Sequence, residues 1–242
     1  MVRTGIVWHI AIAVLITGSC ALSFAADVAK KASPAVAGDT SPLEIKLPPP
    51  YFGGTPTTYI SEHLEEFDPT VRKPFVAPKG ATVLSAGKTV TSSDPDPANG
   101  KLSMITDGEK GYQTEYLTEL AEGAQWVQID LGAQSEVYAV VLWHFHAGDR
   151  VYFDVVARTA DDAAFTKNMQ TVYNNDFDNS SGLGVGKDKE YIENYQGRLI
   201  GTLTDGKGTI GRYVRLYSKG NTSDGANHYV EVEVWGRTAP AG

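Results

Sequence analysis

Val137-Tyr138-Ala139-Val140-Val141-Leu142-Trp143-His144-Phe145-His146 is the stretch that decides the fold. In an extended chain Val137, Ala139, Val141, Trp143 and Phe145 share one face, and Tyr138, Val140, Leu142, His144 and His146 share the other. Both faces are largely apolar, which places this strand at the centre of a sheet. Outward from it, Val151-Tyr152-Phe153-Asp154-Val155-Val156-Ala157 alternates in the same way. So do Arg212 to Tyr217 and Tyr229 to Trp235, as half-buried strands do. Turn signals separate these runs: Ser93-Asp94-Pro95, Asp107-Gly108, Ala147-Gly148-Asp149, Asp205-Gly206-Lys207-Gly208 and Ser223-Asp224-Gly225. Short strands, long polar loops and no amphipathic helix of normal length predict an all-β, antiparallel sandwich.

The N-terminus reads as an export signal. Arg3 gives a positive start, Ile6 to Leu22 is apolar, and Ser23-Phe24-Ala25 offers small residues for cleavage before Ala26. A secretory signal peptide over 1–25 leaves a mature chain with no transmembrane span, and predicts a secreted, periplasmic or cell-surface protein. Cys20, the single cysteine, lies inside that segment. Thr17-Gly18-Ser19-Cys20 resembles a lipoprotein processing site, with Thr17 where a large aliphatic residue is usual. Cleavage after Ala25 removes the only thiol, so no disulfide staples the domain. The formal charge of −8 becomes about −9 once Arg3 is gone. An acidic protein lacks the positive footprint that nucleic acid or an anionic membrane face requires.

Residues 26–50 are rich in Ala, Pro, Ser and Lys and end in Leu47-Pro48-Pro49-Pro50, which predicts a flexible linker. Residues 51–79 carry Tyr51, Phe52, Tyr59, Leu64, Phe67, Phe75 and Val76, too many apolar groups for a bare linker. Pro56, Pro69, Pro74 and Pro78 forbid long elements there. An extended arm packed on the domain is expected, with a short helix over Ile60–Glu66. The domain proper then spans 80–237, and 238–242 is a tail.

Four weak motifs stand in order along that domain: Ile105-Thr106-Asp107-Gly108, Trp126-Val127-Gln128-Ile129-Asp130-Leu131-Gly132, Arg212-Tyr213-Val214-Arg215-Leu216 and Glu231-Val232-Glu233-Val234-Trp235-Gly236. Together they resemble the discoidin family, the coagulation factor V/VIII type C domains, whose bacterial relatives include the family 32 carbohydrate-binding modules. The resemblance implies a galactose-binding-like jelly roll. It also implies a structural calcium ion under the Asp-Gly loop. Asp107 and Glu231 would supply carboxylates, Met104, Glu109 and Val230 carbonyls, and Thr114 a hydroxyl or carbonyl. Asp107 to Thr114 is longer than the family's spacing, so Tyr112 or Gln113 is an alternative to Thr114. A plain Asx turn at Asp107-Gly108 with a solvated Glu231 is the competing reading.

Discoidin-like sugar binders use loops at one end of the sandwich, so the resemblance also implies a ligand site. Here His146, Asp149, Arg150, Tyr152, Asn227 and His228 have suitable chemistry, with Tyr112 and Tyr116 as further stacking candidates. A second candidate is the long loop Asn174-Asn175-Asp176-Phe177-Asp178-Asn179-Ser180-Ser181-Gly182-Leu183-Gly184-Val185-Gly186-Lys187-Asp188. Its oxygen-bearing side chains suit a cation or sugar hydroxyls, and a plain surface loop is the alternative. It matches neither an EF-hand nor a phosphate-binding loop, since Ser181 and Lys187 stand where those motifs need other residues.

No catalytic elbow, metalloprotease helix or cysteine nucleophile is present, so the chain is read as a non-enzymatic binding module. Its expected partner is carbohydrate. A protein partner or homo-oligomer, as in a surface adhesion or assembly subunit, is the alternative, and an unrecognised hydrolase the third.

Overall fold

A computed structural model describes residues 39–51, 59–148 and 150–239, so the expected signal peptide over 1–25, residues 26–38, residues 52–58 of the expected arm, Asp149 and residues 240–242 lie outside the described residues. Eleven strands follow one another: β1 Thr40–Pro42, β2 Val76–Pro78, β3 Thr82–Val83, β4 Val90–Ser92, β5 Thr118–Leu120, β6 Gln125–His144, β7 Val156–Ala160, β8 Gln170–Asn174, β9 Arg198–Gly201, β10 Thr209–Ser218 and β11 Asn227–Thr238. Short 3-10 turns cover Leu102–Thr106 and Thr114–Tyr116. Every strand pair is antiparallel. No helix among the described residues is long and apolar enough to cross a membrane.

The twenty residues of β6 belong to both layers of the sandwich. Its first part pairs with β4 and β10, and β10 continues the layer through β7 to β8. Its second part pairs with β9 and β11, which carry β3 and β5 on the other edge. The chain changes layer after Asp130. That carboxylate accepts from the Gly132 amide at 2.8 Å and takes Arg212 in a two-pronged bond at 2.7 and 2.8 Å. Gly132 holds φ +85° there, a left-handed backbone that glycine adopts without strain. Half of the Asp-Leu-Gly motif is therefore a bend.

Between the layers lie Val127, Ile129, Val140, Leu142, Ala157, Val214, Leu216, Val232 and Val234, all buried. A second apolar cluster covers the outer side of β6 and β11: Tyr138, Ala139, Val141, Trp143, Phe145 and Trp235, joined by Leu43 and Ala77. Val137 departs from the simple alternation. A bulge at Tyr138 breaks the register between β6 and β11, and Val137 joins the inner core instead of the Ala139 face. Gly236 lies opposite, where a Cβ would collide with the Glu136 carbonyl.

The outer cluster explains why residues 39–47 are not a loose spacer. β1 pairs with β2, Leu43 donates its amide to the Phe75 carbonyl at 2.8 Å, and Ile45 and Leu47 pack beside Phe75. The linker reading fails at these residues because three aliphatic side chains find an apolar sheet face to cover. Residues 59–79 then run along the domain. Arg198 holds Glu65 by both carboxylate oxygens at 2.7 and 2.8 Å, and Arg72 donates to the Gly197 carbonyl at 2.7 Å. The helix expected over Ile60–Glu66 is absent. Its backbone is taken by the 174–197 loop: Glu65 donates to the Glu190 carbonyl at 2.9 Å and Glu190 to that of His63 at 3.0 Å.

Candidate functional site

Three loops meet at one end of the sandwich: residues 145–155 after β6, 175–197 after β8 and 219–226 after β10. Backbone bonds tie them, with Phe153 donating to Gly220, Lys219 to Phe153, and Asn175 to Val155 at 2.9–3.1 Å. Gly197 makes this packing feasible. A Cβ there would lie 2.6 Å from the Trp143 ring, and its φ is +65°.

The residues expected at a ligand site sit mostly beneath these loops. Tyr152 is buried, and its hydroxyl meets His228 Nδ1 at 2.9 Å. Asn227 donates to the carbonyls of Ala121 and Gly123 and accepts from Ser218 and Gly220, so its amide is fully occupied within the fold. His146 is buried with Nε2 on the Lys110 carbonyl at 3.1 Å. Arg150 lies over the Phe145 ring at 4.9 Å and 3.7 Å from Asp224. Asp149 is outside the described residues. Burial lowers the pKa of His146 and drives that of His228 down to about 4, so both rings are neutral in the fold. Tyr112 stacks on Tyr51 of the arm at 4.0 Å, and Tyr116 packs on the outer cluster. His144, also buried, pairs with buried Glu193 at 2.6 Å.

Of the expected calcium ligands, Glu231 meets the turn at Gly108 and Met104 meets Asp107, while among the described residues no contact brings Thr114 to them. Glu231 is only 1% exposed and accepts from the Gly108 amide at 2.9 Å. The two segments meet because a bulge at Val230 shifts the β11 register between Tyr229 and Glu231 and leaves Val230 out of the ladder. Val230 consequently points into the outer cluster, not inward with Val232 and Val234. Asp107 is exposed and forms an Asx turn, accepting from the Glu109 amide at 2.9 Å. The reading of Glu231 as a solvated side chain does not survive its burial. Met104 accepts a long bond from Asp107 at 3.4 Å. Thr114 is exposed and turns its carbonyl toward Asn99 at 3.4 Å. Burial raises the Glu231 pKa to about 8, and among the described residues no basic group pairs with it. The nearby ammonium, Lys110, is held by Glu233 at 2.5 Å.

A separate recess of about 450 Å³ opens between the arm and the 174–188 loop. Its apolar lining comes as two aromatic pairs. His63 stacks on Phe177 at 3.6 Å, and Tyr59 leans on Phe153 at 5.6 Å. Its polar lining includes Asp154, Asn175, Asp178, Ser180, Glu190 and Lys219. Two of these carry a buried atom without a partner: Asn175 Nδ2 and Glu190 Oε2. The other ends of both side chains are fixed, Asn175 Oδ1 by the Val155 amide at 2.7 Å and Glu190 Oε1 by the Tyr59 hydroxyl at 2.7 Å.

The composition of the 174–188 loop marks it in the sequence. Tyr59, His63, Phe153, Asp154, Glu190 and Lys219 come from elsewhere, and no local pattern identifies them. Among the described residues the one group of three metal-capable side chains is Asp154, Asp176 and Asp178 in this same region; His144, His146 and His228 form no such group.

No family model matches the chain, and no curated protein matches it. Among solved structures it is similar to chitosan-binding module 1 of a chitosanase/glucanase from Paenibacillus sp. IK-5. Identity is 22% over 64% of this chain and 99% of that one, with a TM-score of 0.43. It is also similar to the family 32 carbohydrate-binding module of C. perfringens NanJ in complex with galactose, at 12% identity over 64% and 98% and a TM-score of 0.45. The lectin binding domain of Lectinolysin, complexed with Lewis b, gives 23% identity over 65% and 97% and a TM-score of 0.43. What this chain's recess accepts has to be read from its own side chains.

Proposed function

We propose that this chain is an exported, non-catalytic module that binds carbohydrate in the recess between the arm and the 174–188 loop. The observation that carries the reading is the pairing of aromatic surface with unfilled polar capacity. A sugar presents an apolar C–H face and a rim of hydroxyls, and a site for it needs both kinds of surface. The His63–Phe177 stack and the Tyr59–Phe153 pair offer the first. Asn175 Nδ2, Asp154, Asp178 and Lys219 offer donors and acceptors for the second. A buried amide nitrogen with no acceptor costs about 1–3 kcal/mol, and a hydroxyl oxygen arriving there recovers part of that.

The same proposal includes a structural calcium ion at the Asp107–Glu231 turn, with Met104, Glu109, Thr114 and Val230 as the remaining candidate ligands. A buried glutamate without a cationic partner under an exposed aspartate offers the hard oxygens that calcium takes. The ion would neutralise that carboxylate and lock the turn onto β11. Export rests on the first 25 residues, and the acidic charge agrees with a neutral sugar ligand better than with a polyanion.

Glycan-array screening followed by calorimetry tests the binding. Phe177→Ala removes the half-buried platform ring and should weaken the best array ligand at least tenfold with little change in melting. Undiminished affinity in that variant would place the ligand elsewhere. Failure of the wild-type chain to hold any glycan would remove the reading.

A further inference from the structure

We infer that a second binding subsite lies beside the first, between the arm and residues 192–199, and that the ligand is a neutral oligosaccharide several residues long. This rests on sugar entering the first recess, and it adds the size class of the ligand. The second recess has about 410 Å³ and is walled by Phe67, Asp68 and Arg72 of the arm, with Asn194, Gln196 and Arg198 opposite. The two spaces share one rung of backbone. His63 and Glu190 wall the first and Glu65 the second, and Glu65 donates to the Glu190 carbonyl at 2.9 Å while Glu190 donates to that of His63 at 3.0 Å. A sugar chain that fills the first recess and continues along the arm therefore arrives at the second.

The second recess holds unused donors. Arg72 gives one guanidinium bond, from Nη1 to the Gly197 carbonyl at 2.7 Å, and its Nη2 has no partner. Among the described residues no carboxylate pairs with Arg72, and Glu65 is taken by Arg198. Arg198 uses Nη1 for that contact and leaves Nε without a partner. Burial, opposed in part by Glu233, lowers the Arg72 pKa. A guanidinium with N–H groups withheld from water and from protein is costly until an oxygen faces it.

Acceptors and an apolar ring complete the wall. Glu66 and Asp68 are exposed there. Phe67 is half-buried and belongs to neither apolar cluster, so its ring is not engaged by the core. A hydroxyl both donates and accepts, and guanidinium donors beside exposed carboxylates answer both needs. A bare anion meets repulsion from Glu66 and Asp68, and a bare cation from the two arginines, so the wall favours a neutral ligand rich in hydroxyls. The Phe67 ring offers the surface on which the apolar face of a sugar stacks.

The test is a length series. Full-length chain is titrated by calorimetry with galactose, mannose, xylose and N-acetylglucosamine oligomers, each graded from one to six linked residues. In a series that binds, the hexasaccharide should bind at least tenfold tighter than the shortest member that binds. Phe67→Ala should cancel that gain and leave the affinity for the shortest member as in wild type. Phe177→Ala, in the first recess, should weaken every length. If Phe67→Ala lowers the melting temperature, Phe67→Leu keeps apolar bulk without a flat ring and should cancel the same gain. Affinity level within twofold from the shortest binder to the hexasaccharide overturns this inference and leaves the first recess standing. A length gain that survives both Phe67 variants overturns the placement beside Arg72. Absence of binding at every length removes the first-recess reading, and this inference with it.

Discussion

The turn at Glu231 and the recess at Asp178 are both acidic, yet their charge is placed in opposite ways. Glu231 is buried and supported by one amide bond, from Gly108, more than a hundred residues away. In the recess Asp178 is exposed, while Asp176 is buried and held by the Ser180 amide at 2.9 Å, the Ser181 amide at 3.1 Å and the Ser181 hydroxyl. A carboxylate buried without a cation opposes folding until it is neutralised, so a ligand there acts on stability. A carboxylate at an open rim loses little by waiting in water, so a ligand there acts on binding. The two regions therefore predict different readouts, an ion's effect on melting at Glu231 and a ligand's affinity in the recess.

Chelation should have the largest effect, and it should act through the Glu231 turn. An ion present at a hundred times its dissociation constant stabilises the fold by about 2.7 kcal/mol. For a domain of this size that is roughly 5–10 °C of melting temperature. Calcium-saturated wild type should lose that much on adding chelator, and Glu231→Gln should lose markedly less. A wild-type melt indifferent to chelator would erase the contrast between the regions. Asp176→Ala comes next. It removes the acceptor of three hydrogen bonds and should destabilise by about 1–3 kcal/mol in chemical denaturation in chelator. A loss that appears only with calcium present would make Asp176 a ligand first and a loop brace second.

How much of this could be read from the chain follows the same division. Period-two patterning around Val137–His146 locates the central strand because both faces of β6 are apolar. The patterning is silent on what covers the outer face. Leu43, Ile45 and Leu47 sit in a proline-rich stretch whose average composition hides them, and only the pairing of β1 with β2 brings them to the sheet. Bulges at Tyr138 and Val230 also escape the pattern, since one added residue reverses which side chains face inward. The contact of the Asp107-Gly108 turn with Glu231, made by the Gly108 amide, joins two of the ordered motifs far apart in sequence. The recess is legible only for the loop that supplies Asn175, Asp176, Phe177 and Asp178. Phe153, Asp154 and Lys219 look like ordinary strand-end residues until Lys219 donates to the Phe153 carbonyl and Phe153 to that of Gly220 across the two loops.

The smallest effect comes from acid, and it tests whether the two regions share a wall. His146 leans on the carbonyl of Lys110, two residues after the Gly108 turn, while His228 bonds the hydroxyl of Tyr152, which precedes the recess residues Phe153 and Asp154. Around His228 stand Asp224 and Glu119, each 4.0 Å away, with Arg150 and His144 opposing its charge. Burial outweighs those carboxylates and holds its pKa at about 4, against 6.5 for a free imidazole. The unfolded chain therefore binds more protons than the fold between pH 6.5 and 4. Stability from the neutral ring is complete above 6.5 and declines as the pH falls toward 4. In chelator, thermal melts should drop between pH 7 and pH 5, and His228→Gln should flatten part of that slope. If the histidines form a common wall, hydrogen exchange at pH 5 should rise at the Gly108 turn and at the Phe177 loop together. Exchange rising at only one of them would mean that the two acidic regions are braced independently.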